Sequence, residues 1–193
     1  MKARAFLLIL AIITLALAVT TLITLPSRPT LSLSEVVTHS SLLPDRWNTL
    51  AVRTSAVAPP YSFGSIRNLR VRWEVSPGVW PYLSQWILEY QLPIAAVAAF
   101  SVSIPLADRS EPGIIQYDPV WKYESQYADQ TRIRCTDLGT GVPVRPEVCT
   151  AWLRYGQYIV EVAISDPPVD EMSFLDTLAI VDDYAGSLLH SRQ

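Results

Sequence analysis

An uninterrupted apolar run near the amino terminus constrains this chain more than any other feature. Residues 6–25 read FLLILAIITLALAVTTLITL, in which threonines are the only polar residues and no residue is charged. As a helix that rises 1.5 Å per residue, this run is about 30 Å long, which matches the hydrocarbon core of a bilayer. A surface helix needs a polar face, and this run has none. We therefore predict a transmembrane helix here.

The residues around the run indicate how it is used. Lys2 and Arg4 precede it and Pro26 ends it, so the amino terminus is expected in the cytoplasm and the bulk of the chain outside it. The run is longer than the apolar region of a cleavable signal peptide, about 7 to 15 residues. Cleavage after Ala18 would leave an apolar stub. A single-pass signal anchor, residues 1–25, is favoured, and secretion after signal cleavage is the alternative.

The rest of the chain has the size and composition of one exported domain. Residues 26–33, PSRPTLSL, form a short linker, and residues 34–193 are long enough to bury a core of their own. From residue 26 onward thirteen basic residues face eighteen acidic ones, a formal charge of about −5. Nucleic-acid binding needs a clustered basic surface, so nucleic acid is not expected as a partner. The lipid bilayer is an expected partner, through residues 6–25.

The two cysteines predict a structural disulfide bond. Cys135 and Cys149 are the only cysteines of the chain, and an exported domain matures in a compartment that is often oxidising. Their spacing is not C-x-x-C and no histidine accompanies them, so redox catalysis and a zinc site both lack their usual ligands. A bridge that closes a loop of this size, about 15 residues, stabilises a fold by roughly 3 kcal/mol in the chain-entropy picture.

Alternating apolar and polar residues predict a mainly antiparallel sheet. The alternation is clearest over Asn68–Val75, where the even positions are polar and the odd positions apolar. TAWLRY and YIVEVAI, joined by Gly156-Gln157, have the spacing of a two-residue hairpin, and glycine at the first loop position suits a type II′ turn. A further strand is predicted over Trp47–Val57. The segment 83–92, LSQWILEYQL, fits a strand, and a helix fits it almost as well.

Helical spacing appears at three places. A short helix is predicted from Ser34, a possible N-cap, to Leu43, before Pro44. The alanine-rich stretch 94–102 favours another. The third runs from about Asp170 to Leu189, with a core-facing stripe of Phe174, Leu178, Val181, Ala185 and Leu188. The order of strands and helices predicts an α+β domain with a long C-terminal helix. This layout is similar to that of PsbP-like and Mog1-like α+β domains, which serve as accessory or binding modules, without shared signature residues.

Residues 116–130, QYDPVWKYESQYADQ, are the most suggestive part of the chain for binding. Tyr117, Trp121, Tyr123 and Tyr127 alternate with charged and polar residues. Tyrosine and tryptophan are enriched at interfaces because they bury large rigid areas at small entropic cost. One interpretation is a surface that contacts a partner or ligand. The other is that the rings pack a long loop onto the sheet, and the sequence favours this second interpretation.

The inventory for catalysis is thin, and no catalytic residue is assigned. His39 and His190 are the only histidines, and no hydrolase, nucleotide or metal motif occurs. The neighbouring acids Asp182 and Asp183 would point to different helix faces, and solvated acids are expected. Arg70 and Arg72 share one strand face, where salt bridges with Glu74 are favoured over an anion site. No metal or cofactor is expected.

These observations predict a non-enzymatic role. The leading hypothesis is a membrane-anchored extracytoplasmic accessory or interaction domain, for example a small subunit of a membrane protein complex, with a membrane protein as partner. The alternative is a binder of a small apolar or carbohydrate ligand in an aromatic-lined cleft. An envelope hydrolase is the third hypothesis, and it would need a histidine or a carboxylate pair to meet in a cleft.

Overall fold

The computed structural model describes residues 31–55, 62, 64–74, 81–104, 115–137, 147–165 and 171–191. Backbone contacts divide the chain into two compact units, Met1–Leu31 and Ser32–Gln193, and the elements given below belong to the second. The predicted membrane span, residues 6–25, lies outside the described residues. Within the described residues, no helix is both long enough and apolar enough to cross a bilayer.

The described strands form one antiparallel sheet, in the order β1-β2-β3-β7-β6-β5-β4. The chain therefore builds one half of the sheet from β1 to β3 and the other from β4 to β7, and β3 and β7 pair at its centre. The strands are β1 (Ala51–Ser55), β2 (Ser65–Glu74), β3 (Tyr82–Tyr90), β4 (Ile115–Tyr117), β5 (Gln130–Asp137), β6 (Glu147–Tyr155) and β7 (Tyr158–Ser165). The prediction of a mainly antiparallel α+β domain is confirmed.

In chain order, short helices precede β1, one helix lies between β3 and β4, and a long helix follows β7. They are α1 (Leu33–Val36), a 3₁₀ turn (Ser40–Leu42), α2 (Asp45–Asn48), α3 (Pro93–Ala98) with a π turn (Ala99–Ser103), α4 (Glu171–Val181), a second π turn (Asp182–Gly186) and α5 (Ser187–His190). Because α4, its π turn and α5 are continuous, the predicted C-terminal helix is confirmed. The helix predicted over 94–102 is also confirmed, and Pro93 at its first turn needs no hydrogen-bond partner for its nitrogen.

The pairing register sorts the side chains onto two faces of the sheet. One face, the helix face, is apolar and is covered by α4, and Phe174, Leu178 and Val181 of α4 are buried. Its strand residues include Val71, Trp73, Leu83, Ile87, Leu153, Val160, Val162 and Ile164, all buried. The opposite face, the arginine face, carries Arg53, Arg70, Arg72, Arg132 and Arg134 together with Trp86, Trp152 and Glu161. Beside these residues, Leu88, Trp152 and Ile159 form a second buried apolar cluster with α3 and its π turn.

The hairpin of β6 and β7 and the disulfide are as predicted. Gly156 opens the two-residue turn with a φ of 55°, which glycine adopts without steric cost. Cys135 and Cys149 are direct partners on β5 and β6, with 4.0 Å between their Cα atoms, and they form the disulfide. Both sulfurs are buried on the helix face. The bond therefore ties together two strands that the sheet already holds in register.

The start of the domain differs from the sequence prediction. The helix predicted over Ser34–Leu43 is broken after Val36, because Val37 is extended with a ψ of 126°. The next backbone N–H, that of Thr38, is donated to Gln85 Oε1 of β3 at 3.0 Å. A fully buried glutamine side chain needs partners, and Gln85 also donates to the carbonyl of Val36 at 3.4 Å. The sheet thus uses backbone groups that a longer helix would have used.

The strand predicted over Trp47–Val57 is also wrong in its first half. Trp47 lies in α2 and is completely buried, and β1 begins only at Ala51. Pro44 precedes the helix and Asp45 occupies its first turn, where an acid is favourable near the helix dipole. For residues 83–92 the strand interpretation is correct, since β3 covers Tyr82–Tyr90.

Candidate functional site

A groove lies between β5 and the irregular segment that follows β4. Its volume is about 240 Å³, and it is lined by Asp118, Pro119, Trp121, Lys122, Tyr123, Thr131 and Ile133. Pockets that enclose a drug-sized molecule are usually about 300 to 1,000 Å³. The groove is therefore of a size that suits one side chain or one small group. Two rings with an acid and a base at the rim give it both apolar and polar contacts.

The aromatic segment, residues 116–130, packs against the C-terminal helix in an extended conformation. In its central part Trp121, Tyr123 and Ser125 are half-buried, while Lys122 and Glu124 are exposed. This alternation is the period of two that an extended backbone imposes. The Trp121 ring meets the ring of Phe174 of α4 edge to face, with 5.1 Å between the centroids. The groove's aromatic wall therefore rests on the core of the domain.

The carboxylate of Asp182 is the centre of the contact between segment and helix. It is completely buried and accepts four hydrogen bonds. Tyr123 Oη (2.9 Å) and the backbone N–H of Gln126 (3.3 Å) donate to Oδ2, and Ser125 Oγ (2.8 Å) and Tyr155 Oη (2.7 Å) donate to Oδ1. A buried carboxylate is tolerated only when such donors replace its water. The same oxygens thus join the segment, the helix and β6.

The two tyrosines on Asp182 are held in the neutral, donating form. Burial raises the pKa of Tyr155 well above its usual value, and the adjacent negative charge of Asp182 raises it further. Burial also raises the pKa of Tyr123, as does its hydrogen bond to Asp182. Neither phenol therefore ionises near neutral pH. The network keeps its pattern of donors and acceptor over the pH range in which the protein is expected to work.

The π turn after α4 adapts the helix to this contact. It spans Asp182–Gly186. Single π turns inside α-helices are rare and are frequent at functional sites. A Cβ at Gly186 would lie 2.7 Å from Cβ of Tyr127, so only glycine allows this approach. Since a π turn takes one residue more than an α turn, the buried stripe continues at Leu189 rather than at the predicted Leu188.

Both ends of the segment are fixed as well. Near its start, Arg134 Nε of β5 lies 3.3 Å from Asp118 Oδ1. Near its end, Asp129 Oδ2 accepts from the backbone N–H of Gly156 at 2.8 Å and from Arg154 at 2.9 Å. Within it, Ser125 Oγ accepts from the backbone N–H groups of Tyr127 and Ala128. The segment is therefore irregular in shape but is held by polar contacts at its start, in its middle and at its end.

The predicted contact residues fall into two groups. Trp121, Tyr123 and Tyr127 are half-buried against the C-terminal helix, as the loop-packing interpretation expects, and Trp121 and Tyr123 line the groove as well. Tyr117 is separate from them: it lies on β4 and is 40% exposed. Beside the groove, Val120 is 97% exposed between two groove-lining neighbours. Sequence reasoning did not single out Val120, although an apolar residue in a polar stretch was visible.

Asp182 corrects the prediction that the acids are solvated. Asp182 and Asp183 do point to different helix faces, but only Asp183 is exposed. The sequence carried a signal for this difference. Asp182 stands four residues after Leu178, which places it on the buried stripe.

Glu161 is a second acid that the structure buries. It lies on the arginine face at the centre of the sheet and is 5% exposed. Trp86 of β3 and Trp152 of β6 are its direct cross-strand partners, and Trp152 Nε1 donates to Oε2 at 3.0 Å. Burial raises the pKa of Glu161 to about 8, so the carboxyl is mostly protonated at neutral pH.

The arginines of β2 behave partly as predicted. Glu74, almost fully buried, forms ion pairs with Arg53 Nε at 3.1 Å and with Arg72 Nε at 2.9 Å. These are the cross-strand and same-strand salt bridges that the pattern favoured. Arg70 is not part of them and is stacked on Trp86 instead, with its Cζ 4.3 Å from the ring centre. Arg67, on the same strand, is paired with Glu89.

The histidines lie apart from each other on the surface. His39 contacts the ring of Tyr184 and His190 the ring of Tyr127, with centroids 5.5 and 6.3 Å apart, and both imidazoles are exposed. Among the residues that the structure describes, no group of three or more histidine, cysteine or acidic side chains is arranged to hold a metal ion.

Comparisons with known proteins assign no family. No protein-family model matches the chain, and no curated protein has a matching sequence. The function must therefore be inferred from the groove, the aromatic segment and the two sheet faces.

The Asp182 network predicts a large effect of a small substitution. Asp182→Asn keeps the shape but presents an NH₂ group to side chains that are already donors, so one or more buried donors lose their acceptor. We expect the free energy of unfolding to fall by about 2 to 4 kcal/mol, measured by urea denaturation. Asp183→Asn is the matched control and should change it by less than about 0.5 kcal/mol. Equal effects of the two substitutions would contradict the network.

The buried Glu161 predicts a specific pH dependence of stability. Because its pKa is raised from 4.5 to about 8, the folded state keeps a proton that the unfolded state loses, and the free energy of unfolding falls as pH rises through this window. Glu161→Gln cannot ionise and retains an acceptor for Trp152. The variant should therefore gain stability relative to wild type, by a few kcal/mol at pH 8 and little at pH 4.5. Glu124→Gln, at an exposed position, should show the same dependence of the free energy of unfolding on pH as wild type. If Glu161→Gln showed the same dependence as wild type too, the raised pKa of Glu161 would be refuted.

Proposed function

We propose that this chain is a membrane-anchored extracytoplasmic interaction domain that contacts a membrane protein partner through the aromatic segment. The observation that carries the proposal is the exposed Val120 beside the groove. An isoleucine, leucine or valine exposed singly is ordinary on a protein surface. Val120 differs because its neighbours Pro119 and Trp121 line a groove whose wall is fixed to the core. Apolar side chains next to a cleft are typical of recognition sites.

The rigidity of the segment supports this role. Binding by a flexible loop loses conformational entropy, which weakens the affinity by about 0.5 to 1.5 kcal/mol for each side chain that is immobilised. Here the four hydrogen bonds to Asp182 and the contacts at Asp118 and Asp129 order the loop in the free protein. A partner would meet a surface that is already formed.

The size and composition of the groove favour a protein partner over a free ligand. A volume of about 240 Å³ accommodates one side chain of a partner, and the exposed charge of Lys122 can pair with an acidic group of that partner. Interfaces of this kind have an apolar centre and a polar rim. The second candidate, a small apolar or carbohydrate ligand, is favoured by the rings of Trp121 and Tyr123 in the same groove.

The location supports a partner in or near the membrane. The disulfide between Cys135 and Cys149 indicates an oxidising compartment outside the cytoplasm. The apolar run of residues 6–25 has the length of a membrane span, and the linker of eight residues would reach at most about 29 Å when fully extended. A domain tethered in this way stays close to the bilayer and to proteins embedded in it.

Copurification of the full chain from native membranes tests the proposal. Val120→Asp places a charge beside the groove without touching the Asp182 network, and it should lower recovery of the partner about tenfold or more, because burying an unpaired charge costs well over 1.4 kcal/mol. Ile94→Asp is the matched control, since Ile94 is 69% exposed on α3. Recovery of the same proteins with both variants, or of the chain alone, would contradict the proposal. Tryptophan fluorescence that responds to a monosaccharide or alkyl alcohol would support the second candidate instead.

A further inference from the structure

A pair of arginines on β2 is prepared for an anion in a way that the salt bridges do not explain. Arg70 and Arg72 are two residues apart on the arginine face, so their Cα atoms are separated by about 7 Å. Each guanidinium lies over a ring of β3: Arg70 Cζ is 4.3 Å from the centre of the Trp86 ring, and Arg72 Cζ is 3.8 Å from that of Tyr82. We call these four side chains the arginine–aromatic ladder.

Stacking fixes the guanidinium planes and leaves their edge N–H groups for hydrogen bonding, of which Arg72 Nε is already paired with Glu74. A ring covers the flat face of a guanidinium, while its N–H groups point outward in the plane in a fork that matches an oxyanion. Because the planes are held before a ligand arrives, little side-chain entropy is lost on binding. The ladder thus has the geometry of a preorganised anion site.

Arg70 has a desolvated donor that lacks an acceptor. Its Nε is buried and has no hydrogen-bond partner, and burial, together with the nearby charge of Arg72, lowers the pKa of Arg70. A partly buried guanidinium is costly unless an anion compensates it. Within the described part of the chain, the nearby carboxylate of Glu74 is occupied by Arg53 and Arg72. The stack on Trp86 explains the position of Arg70, but it leaves the buried Nε without an acceptor.

The balance of charge indicates the kind of anion. Three guanidinium groups, those of Arg53, Arg70 and Arg72, and one described carboxylate, that of Glu74, occupy neighbouring positions of β1 and β2 on this face. Glu161, next to Trp86 on the adjacent strand, adds little negative charge because it is mostly protonated at neutral pH. The excess of two positive charges matches a phosphate group, whose several oxygens accept from two forks at once and which carries about one to two negative charges.

We propose that the arginine–aromatic ladder is a binding site for a phosphate group, either free phosphate or the head group of an anionic lipid. The site is on the face of the sheet opposite the face that α4 and the aromatic segment cover. Phosphate binding at this site can therefore be tested independently of the groove and of the proposed partner. Arg70 supplies the open fork, and Arg72 supplies the second charge.

Titration of the full chain with inorganic phosphate, in a maltoside detergent at constant ionic strength, tests the site. The ³¹P signal of phosphate should broaden when the wild-type chain is present. Phosphate should also raise the unfolding temperature of the wild type more than chloride does. Arg70→Gln should weaken phosphate binding at least tenfold, because it removes a charged hydrogen-bond donor from the site. Arg70→Lys keeps the charge but loses the fork, and it should also bind more weakly.

Arg46→Gln is the matched control. Arg46 is also stacked on a tryptophan, with its Cζ 4.4 Å from the centre of the Trp47 ring, but it lies outside the ladder. Its loss removes one charge and one stack and should leave phosphate binding unchanged. The proposal is overturned if wild type responds equally to phosphate and chloride, or if Arg46→Gln weakens binding as much as Arg70→Gln.

A second arm distinguishes the two sources of phosphate. The full chain is placed in nanodiscs of phosphatidylcholine with and without phosphatidylglycerol, and amide hydrogen exchange is followed over β2, residues 65–74. Slower exchange with phosphatidylglycerol in wild type but not in Arg70→Gln indicates the lipid head group. A response to inorganic phosphate without this effect indicates free phosphate. The absence of both responses refutes the site.

Discussion

The structure depends on one buried negative charge that is surrounded by donors. Asp182 brings a carboxylate into the core, and a desolvated carboxylate requires hydrogen bonds in place of water. Two tyrosines, a serine and one backbone N–H supply them. Because these donors come from β6 and from the irregular aromatic segment, one side chain orders the helix, the hairpin end and the segment together. The groove and the exposed Val120 exist in their present form because this segment is held in place.

The two faces of the sheet have different physical roles. The helix face is apolar and packs against α4, and there the disulfide joins strands that are already paired. A second apolar cluster packs against α3 on the arginine face. The arginine face combines charged side chains with tryptophans, and its central Glu161 is buried enough to keep a proton. Burying charge in a sheet lowers stability unless it is paired or neutralised. On this face the charges are paired at Glu74 and neutralised at Glu161, while Arg70 is stacked on Trp86.

Local patterns predicted much of the fold, and distant contacts decided the rest. The alternation in β2, the turn at Gly156 and the spacing in α4 each involve neighbours in sequence, and each was predicted correctly. The disulfide was predicted correctly because the chain has only two cysteines. The break after Val36 was missed because its cause, Gln85, lies far along the chain. The burial of Asp182 was missed for the same reason, since Tyr123 and Asp182 are 59 residues apart. The aromatic residues could be selected by composition, but the groove beside them required the packing of β5.

Amide hydrogen exchange within the aromatic segment tests the central claim, that a buried carboxylate makes this irregular segment a fixed surface. The N–H of Gln126 is bonded to Asp182, and those of Tyr127 and Ala128 to Ser125. Site-resolved exchange of the full chain should show these three amides protected in wild type and in Asp183→Asn, and much less protected in Asp182→Asn. Free exchange of the three amides in wild type, or equal protection in Asp182→Asn, would contradict the account.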